Sequence, residues 1–184
     1  GGGLLQQSEK ISDLFLTQGV IVETKGRLEH SNERVEAVAE GTYPEFPVAI
    51  LVNDGTASAS EIVAGALQDH KRAILIGSKT YGKGSVQQYL KEDLGDGTGL
   101  KYTIARYYTP NGRWIDRKAG KDYGLEPDIQ VDLTPEDTIK LMEHWRKQDA
   151  KEPSDFTDVQ LQRAVDAVKV ALLSFDSTIR SDKS

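Results

Sequence analysis

The sequence predicts an α/β fold, a layered core with helices at its C-terminal end, on three observations. Two short apolar runs, Pro47-Val48-Ala49-Ile50-Leu51-Val52 and Ala73-Ile74-Leu75-Ile76-Gly77, read as strands buried on both faces, as in a parallel sheet covered by helices. Between them, Ile62, Val63, Ala66 and Leu67 recur at helical spacing, so the three segments form a strand–helix–strand unit. Beyond residue 133 the alternating patterns give way to helical ones. The chain therefore divides into a core, 1–133, and a C-terminal helical segment, 134–184.

Taken in order, Leu5 to Thr17 carries Ile11, Leu14, Phe15 and Leu16 among charges and reads as a first helix, ended by Gly19. Val20 to Thr24 is strand-like, and the alternating Arg34 to Ala39 is placed to pair with it across a Ser31-Asn32 turn. Gly55 permits a tight turn after the first apolar run. Ser58 then opens the amphipathic helix, with Glu61 three positions on as in a capping box. Ser85 to Leu90 reads as an alternating strand. Gly95-Asp96-Gly97 and Pro110-Asn111-Gly112 mark turns around a strong strand from Leu100 to Tyr108. Pro127 to Val131 is one more strand. Thr134 and Pro135 supply a cap and an N1 proline to a helix running to Gln148, and Lys151-Glu152-Pro153-Ser154 is a polar linker. From Asp158 to Leu173, the residues Leu161, Ala164, Val165, Val168 and Leu172 share a face that needs the core or another subunit to cover it.

Composition narrows the chemistry. The 184 residues are enough for one ordinary domain with a real core. A net charge of −6 with interspersed signs argues against a nucleic-acid surface. The absence of cysteine excludes disulfides, thiolate metal sites and cysteine catalysis. His30, His70 and His144 are scattered without ligand spacing, so a metal site is not expected. No apolar run approaches the roughly 20 residues needed to span a bilayer.

Two segments carry the chemistry. In Asn53-Asp54-Gly55-Thr56-Ala57-Ser58-Ala59-Ser60-Glu61-Ile62, a serine stands where a strand turns into a helix. The first amides of a helix have no intrahelical partner, so the N–H of Ala59 is free to donate to an oxyanion on a carbonyl that Ser58 attacks. Taken alone, Ser58 with Glu61 is equally a helix cap, and Ser60 is a second hydroxyl. In Thr80-Tyr81-Gly82-Lys83-Gly84-Ser85-Val86-Gln87, a lysine lies between two glycines with no acid in the next five positions. Desolvation there would favour its free amine, the form that serves as a base for serine. In an extended segment Gln87 shares the face of Lys83, and its amide oxygen is placed to accept from the lysine. Taken alone, Lys83 is an ordinary loop lysine. Gly77 to Lys83 also matches a phosphate-binding pattern, G-x-x-x-x-G-K, so P-loop-like nucleotide binding is the alternative. Against it, Gly84 stands where Ser or Thr belongs, and a strand follows instead of a helix. Tyr102, Tyr107, Tyr108 and Trp114 either line a cleft or simply pack, and Arg106 either binds a substrate carboxylate or forms a structural ion pair.

These two segments, followed by Tyr108-Thr109-Pro110-Asn111-Gly112-Arg113 and Gly124-Leu125-Glu126-Pro127-Asp128, resemble the carboxyl-terminal processing peptidases, or tail-specific proteases, over most of residues 1–133. The resemblance implies a serine endopeptidase with a crotonase/ClpP-like layered core, in which Ser58 is the nucleophile, Lys83 the base and Gln87 its support. Gly1-Gly2-Gly3 is similar to the end of the family's D-L-R-x-N-P-G-G element, whose glycine amide is the second oxyanion donor. That makes Gly2 or Gly3 the candidate beside Ala59. The resemblance further implies a protein or peptide substrate cut near its C-terminus, no cofactor, and an extracytoplasmic, membrane-anchored parent with a PDZ domain. On this reading the chain is a catalytic core fragment, expected to self-associate as a homo-oligomer and to be poorly active by itself. The alternative from another functional class is a catalytically incomplete binding or regulatory fragment.

Overall fold

The computed structural model describes residues 1–43, 45–91 and 98–181. The order is α1 (Leu5–Asp13), β1 (Val20–Gly26), β2 (Glu33–Glu36), β3 (Ala49–Val52), α2 (Ala59–Asp69), β4 (Ile74–Gly77), β5 (Ser85–Lys91), β6 (Gly99–Tyr108), β7 (Ile129–Gln130), α3 (Pro135–Asp149) and α4 (Val159–Ser181). The predicted Gly95-Asp96-Gly97 turn lies outside the described residues.

The strands form two sheets. One is antiparallel, in the order β2-β1-β6-β5, and the other is parallel, in the order β3-β4-β7. The strand–helix–strand unit is present, with Ala49 opposite Ile74 and Val52 opposite Gly77. One expectation needs correcting. β3 is an edge strand, so it is not buried on both faces, and Leu51 is 43% exposed. α4 packs against β3 and β4, while α2 packs against β4, β1 and α1. The core between these layers gathers Ile21, Val22, Ile62, Leu67, Leu75, Tyr107, Ile115 and Leu125, and burial of this apolar surface is the main force holding the sheets together.

The first helix is shorter than its pattern, ending at Asp13. Ile11 and Leu14 face outward, and the buried positions are Ser8 and Ser12. Each serine hydroxyl bonds a carbonyl one turn back, Leu5 O at 2.6 Å and Ser8 O at 2.8 Å. Small side chains satisfied in this way can be buried beside α2 at little polar cost.

The two downstream motifs frame the central unit. Asp69, in the last turn of α2, accepts the Asn111 N–H at 2.8 Å and pairs with Arg113, which pins the Pro110-Asn111-Gly112 turn to the helix. Asp128 accepts the Leu75 N–H at 2.7 Å and Gln68 Nε2 at 3.1 Å, joining β4 and α2 to the chain before β7. At the C-terminal end, Thr134 caps α3 by accepting the Asp137 N–H at 3.1 Å. In α4, Gln160 and Ala164 are buried, whereas Leu161, Val170, Leu172 and Leu173 remain exposed.

Candidate active site

Ser58 sits at the elbow between β3 and α2 with φ 59° and ψ −123°, a backbone region that side-chain-bearing residues rarely adopt. The sharp turn presents its side chain ahead of the helix. With Glu61 it forms the capping box that the spacing predicts, the carboxylate accepting the Ser58 N–H at 2.8 Å. The Ala59 N–H, by contrast, has no hydrogen-bond partner among the described residues. Gly2 lies directly against this turn. A Cβ there would stand 2.7 Å from Ser58 Cβ, 2.8 Å from Ala57 O and 3.1 Å from Ala59 N. Ser60, the second hydroxyl, is occupied in holding the same strap, donating to Gly1 O at 2.8 Å.

Glu61 does far more than cap. It is fully buried, and its two oxygens take four donors from two segments. Oε2 accepts the N–H groups of Ser58 and, at 3.0 Å, Lys83. Oε1 accepts Thr80 Oγ1 at 2.6 Å and the Gly82 N–H at 2.7 Å. A buried carboxylate is tolerable only where such donors replace water, and here they also join the serine elbow to the lysine loop.

The rest of the loop is held just as closely. Gly82 adopts φ 81°, which only glycine takes without strain, and its carbonyl accepts the Arg117 N–H at 3.0 Å. The Lys83 carbonyl accepts from Tyr107 Oη. The Gly84 N–H donates to Asp116 at 3.1 Å, and its carbonyl accepts Trp114 Nε1 at 3.0 Å and the Tyr107 N–H at 3.1 Å. This disposes of the phosphate-loop reading. The amides that would cradle a phosphate are spent on Glu61 and Asp116, and the loop runs into β5 instead of a helix.

With its backbone fixed, Lys83 extends into a cleft of about 400 Å³ lined also by Gly3, Leu5, Ser58, Ala59, Gln87, Tyr89, Lys101 and Tyr107. Among the described residues Lys83 has no ion-pair partner. Gln87 lines the same cleft, but its amide is engaged elsewhere. Its amide nitrogen donates to Thr103 Oγ1 at 2.7 Å and Ser85 Oγ at 3.2 Å, and no bond joins it to Lys83.

A larger cavity, about 850 Å³, shares Leu5 and Val86 with this cleft but contains neither Ser58 nor Lys83. The other side chains singled out in the sequence lie elsewhere. Arg106 stacks over Trp114 at 4.1 Å and forms no ion pair among the described residues. His70 Nε2 pairs with Val20 O at 2.7 Å, and His144 Nδ1 with Ser154 Oγ at 2.8 Å. No group of His, Asp and Glu suited to a metal ion occurs among the described residues. Two positions at the candidate site were not evident from the sequence. The role of Glu61 beyond capping is invisible because its other partners lie some twenty residues away, and Tyr107 read as one aromatic among several on a strand.

Residues 1–131 match peptidase family S41. A carboxy-terminal-processing protease of Bartonella bacilliformis is 47% identical over 131 residues, which is 71% of this chain and 29% of that protein. A carboxyl-terminal-processing protease of Synechocystis sp. is 44% identical, with the same coverage of 71% and 29%. Among solved structures, a photosystem II D1 C-terminal processing protease superposes with a TM-score of 0.58 at 35% identity, covering 72% of this chain and 32% of that one. The chain spans 29% of the length of these two curated relatives.

Proposed function

The chain belongs to peptidase family S41, and from that premise we propose that it carries the serine–lysine centre of an endopeptidase that cuts protein chains near their C-termini. The observation that carries the proposal is that Ser58, on a strained elbow, and Lys83, on a loop fixed to that elbow through Glu61, open into one cleft. In this mechanism Lys83 Nζ takes the Ser58 hydroxyl proton as Oγ attacks the substrate carbonyl. The oxyanion is held by the Ala59 amide and by Gly2 or Gly3, both at the mouth of the elbow. Lys83 then passes the proton to the leaving amine. Water, deprotonated in turn by Lys83, attacks the ester carbonyl, and Lys83 returns that proton to Ser58 Oγ as the acyl group leaves as a carboxylic acid. Gln87, which lines the same cleft, is the support for Lys83 in this reading.

Several wider features belong to the same proposal. The two sheets and their helices form a crotonase/ClpP-like layering. The parent protein carries a PDZ domain that recruits the substrate C-terminus, works outside the cytoplasm, and assembles as a homo-oligomer through exposed α4 residues such as Leu161 and Leu173. Light scattering over a concentration series reads the last point, and a constant monomer mass refutes it.

The central test is hydrolysis of an unfolded protein or fluorogenic peptide by the chain and by Ser58→Ala. Hydrolysis by the wild type with loss of about 1,000-fold or more in the variant is expected. Equal turnover by the two, or a wild type that turns over nothing, overturns the assignment for this chain.

A further inference from the structure

We propose that Tyr107 is a positioning residue for this centre, its hydroxyl fixing the approach of Lys83 to Ser58 by donating to the Lys83 carbonyl beside the serine elbow. The proposal rests on the function proposed above. Tyr107 comes from β6, an element that supplies none of the reacting groups, and it is 2% exposed. Its Oη bonds the Lys83 carbonyl and lies 3.3 Å from the Ser58 carbonyl, while its own N–H donates to Gly84 O at 3.1 Å. One side chain therefore touches the serine elbow and the lysine loop at once.

The two carbonyls differ in what else they have. Ser58 O already accepts the N–H groups of Glu61 at 2.8 Å and Ile62 at 3.0 Å, as a helix start should. Lys83 O has Tyr107 Oη as its one hydrogen-bond partner among the described residues. The phenol has a single proton, and it belongs to Lys83. Glu61 fixes the N–H side of residue 83 and Tyr107 the C=O side, so the point from which the lysine side chain starts is set at both ends. The bond needs the neutral phenol. Burial, followed by the nearby charges of Glu61 and Asp116, pushes Tyr107 ionisation well above its usual range, which keeps the donor in place at any working pH.

The test is Tyr107→Phe, which keeps the ring and its packing and removes the donor. It is assayed beside wild type, Ser58→Ala and Tyr108→Phe, the last a neighbouring tyrosine whose ring lies under Lys25 at 4.9 Å and outside the cleft. In a folded Tyr107→Phe chain, kcat is expected to fall at least tenfold with KM within about threefold, while Tyr108→Phe keeps wild-type turnover. p-Aminophenylalanine at position 107, which restores an N–H donor, should recover most of kcat. A folded Tyr107→Phe chain with kcat within twofold of wild type overturns the proposal. So does a Tyr107→Phe chain that fails to fold while the amino variant folds, since the hydroxyl then serves stability alone. Loss of activity in Ser58→Ala with full activity in Tyr107→Phe sinks only this inference, whereas full activity in Ser58→Ala sinks the proposed function beneath it.

Discussion

The Lys83 N–H and the Ser58 N–H donate to the same carboxylate oxygen, Oε2 of Glu61, at 3.0 and 2.8 Å. One buried atom is thus the shared anchor of two segments that the chain delivers separately. An amide in place of this carboxylate would turn an N–H₂ group toward two of the four donors that Glu61 now satisfies. Leaving two buried donors unpaired costs on the order of 2–6 kcal/mol. Glu61→Gln is therefore expected to lower both the melting temperature and kcat, as read by thermal unfolding and peptide hydrolysis. A variant with wild-type melting and turnover would show that the anchor is dispensable.

Lys83→Arg keeps the charge but not the chemistry, because a guanidinium does not give up its proton in a protein. Loss of a general base lowers turnover by about 100-fold or more, so the arginine chain should be folded and nearly inactive. Retained hydrolysis would make the role of Lys83 electrostatic.

Gly2→Ala probes the oxyanion strap. A methyl at Gly2 meets Ser58 Cβ at 2.7 Å and the Ala57 carbonyl at 2.8 Å, so the strap must move away from the elbow. Gly2 lies in an exposed segment before α1, and displacement there should leave the melting temperature almost unchanged. kcat should drop by about 100-fold, the usual consequence of losing one oxyanion donor. Undiminished kcat would remove Gly2 from the site.

The pH dependence of stability has a contributor that does not line the cleft. Partial burial, followed by the nearby charge of Glu33, holds the Glu9 carboxyl above the ordinary glutamate range. The folded state therefore prefers the protonated acid. The resulting stability is complete below the unfolded value of about 4.3 and is lost as pH rises through the raised folded value. Glu9→Gln should melt higher than wild type at neutral pH, and the difference should close at about pH 3.5. Equal melting temperatures at neutral pH would contradict this.

Much of the fold is written locally and could be read. The apolar runs around Ile50 and Leu75, the capping pair of Ser58 and Glu61, and the Thr134-Pro135 helix start each depend on residues within one turn or one strand. What could not be read depends on the arrangement of elements. Leu51 is exposed because β3 stands at a sheet edge, and Ser12 is buried because α1 packs on α2. The same is true at the site. Ser58, Lys83 and Gln87 were legible as residue types in a motif. The hold of Glu61 on Gly82 and Lys83, the Thr103 partner of Gln87, and the bond of Tyr107 to the Lys83 carbonyl all arise from contacts between elements distant in sequence.

The torsion angles of Ser58 carry one more consequence. A residue with a side chain held at φ 59° and ψ −123° costs about 1–3 kcal/mol that glycine does not. Ser58→Ala and Ser58→Gly delete the same hydroxyl, yet only glycine relaxes the elbow. The two equally silent chains should therefore part company on heating, with the glycine chain unfolding several degrees later than the alanine one. Heat resistance and turnover pull in opposite directions at this one bend, and a population selected for endurance alone would drift toward glycine there and fall silent.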